Sequence, residues 1–194
     1  MNPAFQRAIE LIDAENARDP NVETVGGISH PRELLYAQRL TSWVLKLAPA
    51  ASEVLRLAAR CQHICRWTIP RDSYPMTRAG YLRWRADLKN FHARKAGEIL
   101  AQAGCPEDVI KKVQDLNLKK NFPADPESQV LEDALCLVFL EFQLTDLAAK
   151  TDDDKMINAI QKSWKKMSPA AHQSALILPF GAKEKQLVER ALAS

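Results

Sequence analysis

No apolar run in this chain of 194 residues approaches the roughly 20 residues that span a bilayer. A membrane segment or membrane partner is therefore not expected. The opening stretch, MNPAFQRAIELIDAENARD, has no basic start followed by an apolar run, so a secretory leader is not expected and the cytoplasm is the default location. The four cysteines, at 61, 65, 105 and 136, include no CxxC pair. Reduced thiols in the core are expected, ahead of zinc ligands or disulfides. Glycine is scarce, with six residues, and period-two alternation is almost absent, which leaves strands little support. No internal repeat, low-complexity tract or domain-dividing linker is visible. What remains is an all-α chain, long enough to bury a sizeable core as a single helical domain over 1–194.

The helix boundaries are marked by local chemistry. Phe5, Ala8, Ile9 and Ile12 mark one face of a first helix. NVETVGGISH reads as a turn-rich connection, with Ser29 as cap of a second helix that carries Pro31 in its first turn. A third helix is expected from near Ser52 through ARCQHICRW, which places Cys61 and Cys65 on one face. TIPRDSYP is a loop. A long helix follows, ending at Gly104. Pro106 with Glu107 and Asp108, Asp125 with Pro126, Thr151 with three Asp, and Ser168 with Pro169 open four more. VLEDALCLVFLEFQLTDLAA is expected as one central apolar helix, and AKEKQLVERALA closes the chain.

The net charge of +3 hides a segregation of sign. Between residues 60 and 95 lie seven Arg and two Lys against only Asp72 and Asp87. The guanidinium fork matches phosphate oxygens, so this block suggests an anionic partner. Arg pairing with distant carboxylates is the alternative. Arg60, Arg66 and Arg71 lie near the end of the third helix, and Arg78, Tyr81, Trp84 and Arg85 follow in the next loop and helix. Aromatic rings beside Arg suit a nucleotide or another phosphorylated small molecule; for any single ring among Trp67, Tyr81 and Trp84, a plain core role is favoured. Nucleic acid is not expected as a partner, because the basic residues flank apolar helices and form no solvated stripe.

Polar groups also interrupt the apolar helices. Histidines stand at 30, 63, 92 and 172. Glu132 and Asp133 lie within VLEDALCLVFL, and Asp133 shares a helical face with Leu137, Leu140 and Leu144. A carboxylate in such a helix is costly unless paired, protonated or bound to a cation. Imidazole and carboxylate converging from separate helices is one way a bundle builds a metal site.

The spacing His30, His63, Asp133, together with EDAL and FHARKAGEILAQAG, resembles the HD-domain metal-dependent phosphohydrolases. That resemblance implies an HD-like bundle over about 28–145, with C-terminal helices over 151–194. It also implies a divalent metal (zinc, manganese or iron) on His30, His63, His92 and Asp133. Glu33 or Glu132 would serve as base or supporting partner, and Arg60, Arg66, Arg71, Arg78, Tyr81 and Arg85 would hold the substrate. The chain departs from the pattern at the His-Asp doublet, where Ile64 follows His63, so slow turnover of simple phosphoesters is expected. His172 is expected outside the cluster. As a block, QHICRWTIPRDSYPMTRAGYLRWR resembles family number 4202 among the domains of unknown function, which brings no activity with it. Three functions follow as expectations: a metal-dependent hydrolase of a phosphorylated small molecule, a module that binds such a ligand for regulation, and an iron oxygenase on a related site.

Overall fold

A computed structural model describes residues 2–193 of the chain. Within them the fold is all-α apart from one hairpin. The elements run α1 (Pro3–Asn16), β1 (Val22–Val25), β2 (Ile28–Pro31), α2 (Arg32–Leu47), α3 (Glu53–Arg60), α4 (Arg78–Gln102), α5 (Glu107–Asn117), α6 (Pro126–Val138), α7 (Leu144–Ala148), α8 (Asp153–Trp164), α9 (Pro169–Leu176) and α10 (Ala182–Leu192). One hydrophobic cluster joins residues from Phe5 of α1 to Ala191 of α10, with Leu40, Leu57, Ile64, Leu100, Leu137 and Leu187 among its most buried members. No helix among the described residues is long and apolar enough to cross a membrane.

The caps do what their residue types imply. Ser52, Thr77, Asp125, Asp152 and Ser168 each accept a backbone N–H from the first turn of α3, α4, α6, α8 and α9. This satisfies donors that the helix itself leaves unpaired.

Three sequence expectations are corrected. The 21–30 connection is an antiparallel hairpin with Glu23 opposite His30 and Val25 opposite Ile28. Gly26 and Gly27 turn it at φ 57° and 82°, the left-handed backbone that a two-residue hairpin turn requires. Four-residue strands are too short for alternation to stand out. Ser29 consequently lies in β2 and caps nothing; α2 begins after Pro31 without a local side-chain cap. Its first turn is held from a distance, because Glu33 N–H donates to Asp19 Oδ2 at 3.0 Å. The apolar helix expected over 130–149 is broken by a π-helical turn over Phe139–Gln143 between α6 and α7.

Gly80 permits the entry of α4. A methyl group at this position would lie 2.1 Å from the Pro75 carbonyl oxygen. Gly80→Ala must push the 71–77 loop away from α4. We expect a destabilisation of about 1–3 kcal/mol, the usual range for overpacking, read as a lower midpoint in urea. An unchanged midpoint would show that the loop yields without cost.

Candidate functional site

The third helix ends earlier than its composition suggests. α3 stops at Arg60, and residues 61–65 continue as turns, with Cys65 in the left-handed region at φ 53°. The reason is tertiary. The Ile64 carbonyl, which a continuing helix would use, instead accepts from His92 Nδ1 of α4 at 2.8 Å. The Ile64 side chain is fully buried in the core. Its backbone, not its side chain, therefore belongs to the site. The turns rotate Gln62, His63 and Arg66 away from the core cluster and into a cleft of about 900 Å³.

The cleft is walled by α2, α4, the end of α5, α6, the π turn and α8. Tyr36 of α2 stacks on His63, with ring centroids 4.1 Å apart and planes within 10°. The His92 ring lies 5.8 Å from that of His63. Glu33 Oε2 approaches His63 Nδ1 at 3.4 Å, and Glu33 Oε1 lies 3.9 Å from Arg66 Nε. Burial raises the Glu33 carboxyl to about 7 against the pull of Arg66. Burial lowers His92 to about 3, helped by neighbouring His63. It also pushes His63 well below the usual imidazole range, with Arg66, Arg85 and Lys119 acting in the same direction. Both imidazoles are therefore neutral at pH 7.

Elsewhere in the lining, buried Glu132 of α6 pairs with Lys119 and with Lys166, the latter at 3.2 Å. Burial alone would raise its carboxyl, but the two ammonium groups outweigh it and hold it below the ordinary glutamate value. Lys119 reaches this position from the left-handed backbone (φ 55°) that ends α5. A bulky residue in that conformation carries local strain, which the surrounding contacts must offset.

The cleft gathers some of the expected residues and not others. Arg66, Tyr81 and Arg85 line it, as do His63, His92 and Glu132. Arg66 lies over the Trp84 ring at 4.8 Å, and Arg85 over Tyr81 at 5.8 Å. Glu33 touches the cleft through His63 and Arg66. Arg60 does not reach it. Its fork is taken by Asp13 through two bonds of 2.6 and 2.7 Å, and it borders a shallower hollow beside Thr41 and Leu45. Arg71 donates to the carbonyls of Tyr74, Pro75 and Thr77, so it organises the loop before α4. Arg78 is exposed and outside the lining. His172 stacks on Trp164 at 4.0 Å, also outside the lining.

The metal quartet is not assembled. Both Asp133 oxygens are occupied: Oδ1 accepts from Gln129 Nε2 and Ser168 N–H, and Oδ2 accepts from Ser168 Oγ at 2.6 Å. Asp133 thus points inward as expected, but to anchor the start of α9. His30 stands in β2 opposite Glu23. Among the described residues no three His, Cys, Asp or Glu side chains are grouped as metal ligands. The four cysteines are free, and Cys61, Cys65 and Cys136 are buried.

Several cleft residues were not singled out in the sequence. Lys89, Lys119, Lys162 and Lys166 supply much of the positive wall. Asp19 was not singled out either; buried and outside the lining, it holds Glu33 N–H with Oδ2 and the Asn21 backbone N–H with Oδ1. Asp19→Ala would leave the buried Glu33 N–H unpaired beneath the site, while the Asn21 N–H would turn to water. We expect a loss of about 1–3 kcal/mol, measured by chemical denaturation. A loss below about 0.5 kcal/mol, typical of featureless surface changes, would show that α2 starts without this carboxylate.

A family model described as Domain of unknown function (DUF4202) matches residues 6–188. The chain belongs to that family. No curated protein and no solved structure matches it.

Proposed function

We propose that this protein binds a phosphorylated small molecule in the cleft between α2, α4, α6 and α8. The observation that carries the proposal is the charge of the lining. Among the described residues it holds seven cationic side chains (Arg66, Arg85, Lys89, Lys119, Lys155, Lys162 and Lys166) and two carboxylates, Glu132 and Asp154. Part of this charge is internally paired: Lys119 and Lys166 with Glu132, Lys155 with Asp152, Asp154 with Arg190. Arg85, Lys89 and Lys162 have no carboxylate within ion-pair distance among the described residues. With both histidines neutral, the surplus is positive and concave, and a concave charged wall focuses the field on an incoming anion. The π turn contributes Phe139 and Gln143 to the same lining, and such turns often occur at functional sites.

The metal-dependent hydrolase reading draws on the HD-like spacing and on the approach of Glu33, His63 and His92. Against it stand the commitment of Asp133 to Ser168 and the lack, among the described residues, of three His, Cys, Asp or Glu side chains grouped as metal ligands. Elemental analysis of protein purified without affinity-tag chelation separates the readings, because stoichiometric transition metal would restore the hydrolase.

Thermal denaturation with inorganic phosphate, nucleotides and sugar phosphates tests the binding reading. A ligand at 100 times its dissociation constant adds about 2.7 kcal/mol of stability, which raises the midpoint of a domain this size by several degrees. If phosphate compounds leave the midpoint where sodium chloride of equal ionic strength leaves it, the proposal fails.

A further inference from the structure

The inner wall of the cleft carries a pattern that phosphate binding does not use. Among the described residues, six buried side-chain polar atoms lack a hydrogen-bond partner. Four of them belong to this site: Glu33 Oε2, Gln62 Oε1, His92 Nε2 and Asn117 Oδ1. Gln62, His92 and Asn117 line the cleft, and Glu33 stands behind His63. All four residues are more than nine-tenths buried; Gln62, His92 and Asn117 form the floor while the lysines form the rim. An unpaired buried polar atom has lost its water and gained nothing in return, and in folded proteins such groups call for an explanation.

Three of the four atoms are plain acceptors on the cleft lining. Glu33 Oε2 is the exception: it stands behind His63, its 3.4 Å approach to His63 Nδ1 lacks hydrogen-bond geometry, and burial raises its carboxyl to about 7, so near neutral pH it carries a proton much of the time. Gln62 and Asn117 present amide oxygens, and the Asn117 amide nitrogen is already directed at Cys61 Sγ at 3.2 Å. For His92 the tautomer follows from its partner. A carbonyl oxygen can only accept, so Nδ1 carries the proton toward Ile64, and Nε2 is left with a lone pair. On the floor, Gln62 Oε1, His92 Nε2 and Asn117 Oδ1 are three acceptors that lack donors.

Its complement is a group rich in N–H or O–H. A cationic amine would be repelled by the lysine and arginine wall, which favours neutral hydroxyls. Three of the cleft's rings already have partners: Tyr36 has His63, Trp84 has Arg66, and Tyr81 has Arg85, which leaves Phe139 as the lining ring without one among the described contacts. This leaves less open ring surface for a nucleobase. We infer that the ligand is a sugar phosphate or related polyol phosphate, its phosphate on the cationic wall and its hydroxyls donating to Gln62, His92 and Asn117. The inference rests on the phosphate-binding reading and specifies the other end of that ligand.

Titration calorimetry on the full chain tests it with inorganic phosphate, ethyl phosphate, glycerol phosphate, ribose phosphate and glucose phosphate. At least one polyol phosphate should bind tenfold or more tighter than ethyl phosphate, which carries the same charge without hydroxyls. Gln62→Met and His92→Phe remove an acceptor while keeping bulk, and each should bring that ratio toward one. A residue that only supports the fold would weaken both ligands alike and leave the ratio intact, which would overturn the inference. The wild-type ratio decides the matter even if a variant does not fold. A ratio near one across the panel, with inorganic phosphate still binding, refutes the polyol end alone. No binding of any phosphate compound refutes both readings.

Discussion

Replacing Arg66 by alanine should weaken inorganic phosphate binding by about 100-fold, roughly 2.7 kcal/mol. Arg66 is the cleft arginine with the most defined placement. It follows Cys65 in its left-handed conformation, lies over Trp84 at 4.8 Å and faces Glu33 at 3.9 Å. A guanidinium held in this way meets phosphate oxygens with little further ordering, which is why the loss should be large. Arg78→Ala is the control, because Arg78 is exposed and outside the lining. Both variants should keep their helical content. Equal effects from the two would mean that diffuse charge, not this cleft, attracts the anion.

The second large effect concerns acid. His92 is buried and neutral, with a folded value near 3 against 6.5 for a free imidazole. The unfolded chain therefore binds the proton more readily. The stability from neutral His92 is complete above pH 6.5 and is lost as pH falls toward 3. At pH 4.5 the loss amounts to about 2–3 kcal/mol. Glu33 works in the opposite sense. Its folded value near 7 favours the fold below pH 4.5, and this contribution is lost as pH rises through 7. The two effects overlap between 4.5 and 6.5, so the wild-type curve alone does not isolate His92. Comparison with His92→Gln does, since Glu33 and His63, whose imidazole is also pushed well down, are common to both. The wild type should lose about 2–3 kcal/mol more than the variant between pH 6.5 and 4.5. Parallel curves would show that His92 is accessible to protons in the folded state.

The helical frame was largely legible because its signals are local. Ser52, Asp125 and Ser168 cap the helices that their neighbours announce, and Pro70 and Pro75 fall in the loop before α4. The hairpin escaped because strands of four residues show too little alternation to register. The early end of α3 escaped because it depends on His92, which is 28 residues away from Ile64. For the site, the Arg-rich block pointed to one wall through Arg66, Tyr81 and Arg85. It could not separate these from Arg60 and Arg71, whose partners are Asp13 and three loop carbonyls. Helical spacing placed Asp133 inward, yet it carried no hint that Ser168 would fill its oxygens. The lysines of α8 were invisible as site residues because they look like any solvated helix face until the cleft forms around them.

Whether this particular cleft holds phosphate is most directly tested by amide chemical-shift mapping. The labelled protein is titrated with inorganic phosphate at constant ionic strength. Saturable shifts should concentrate at residues 62–66, 85–92, 117–119 and 162–166, with the Arg60 and Arg78 surroundings unmoved. Shifts that never saturate, or that centre on the hollow beside Arg60 and Lys46, would contradict binding in the cleft.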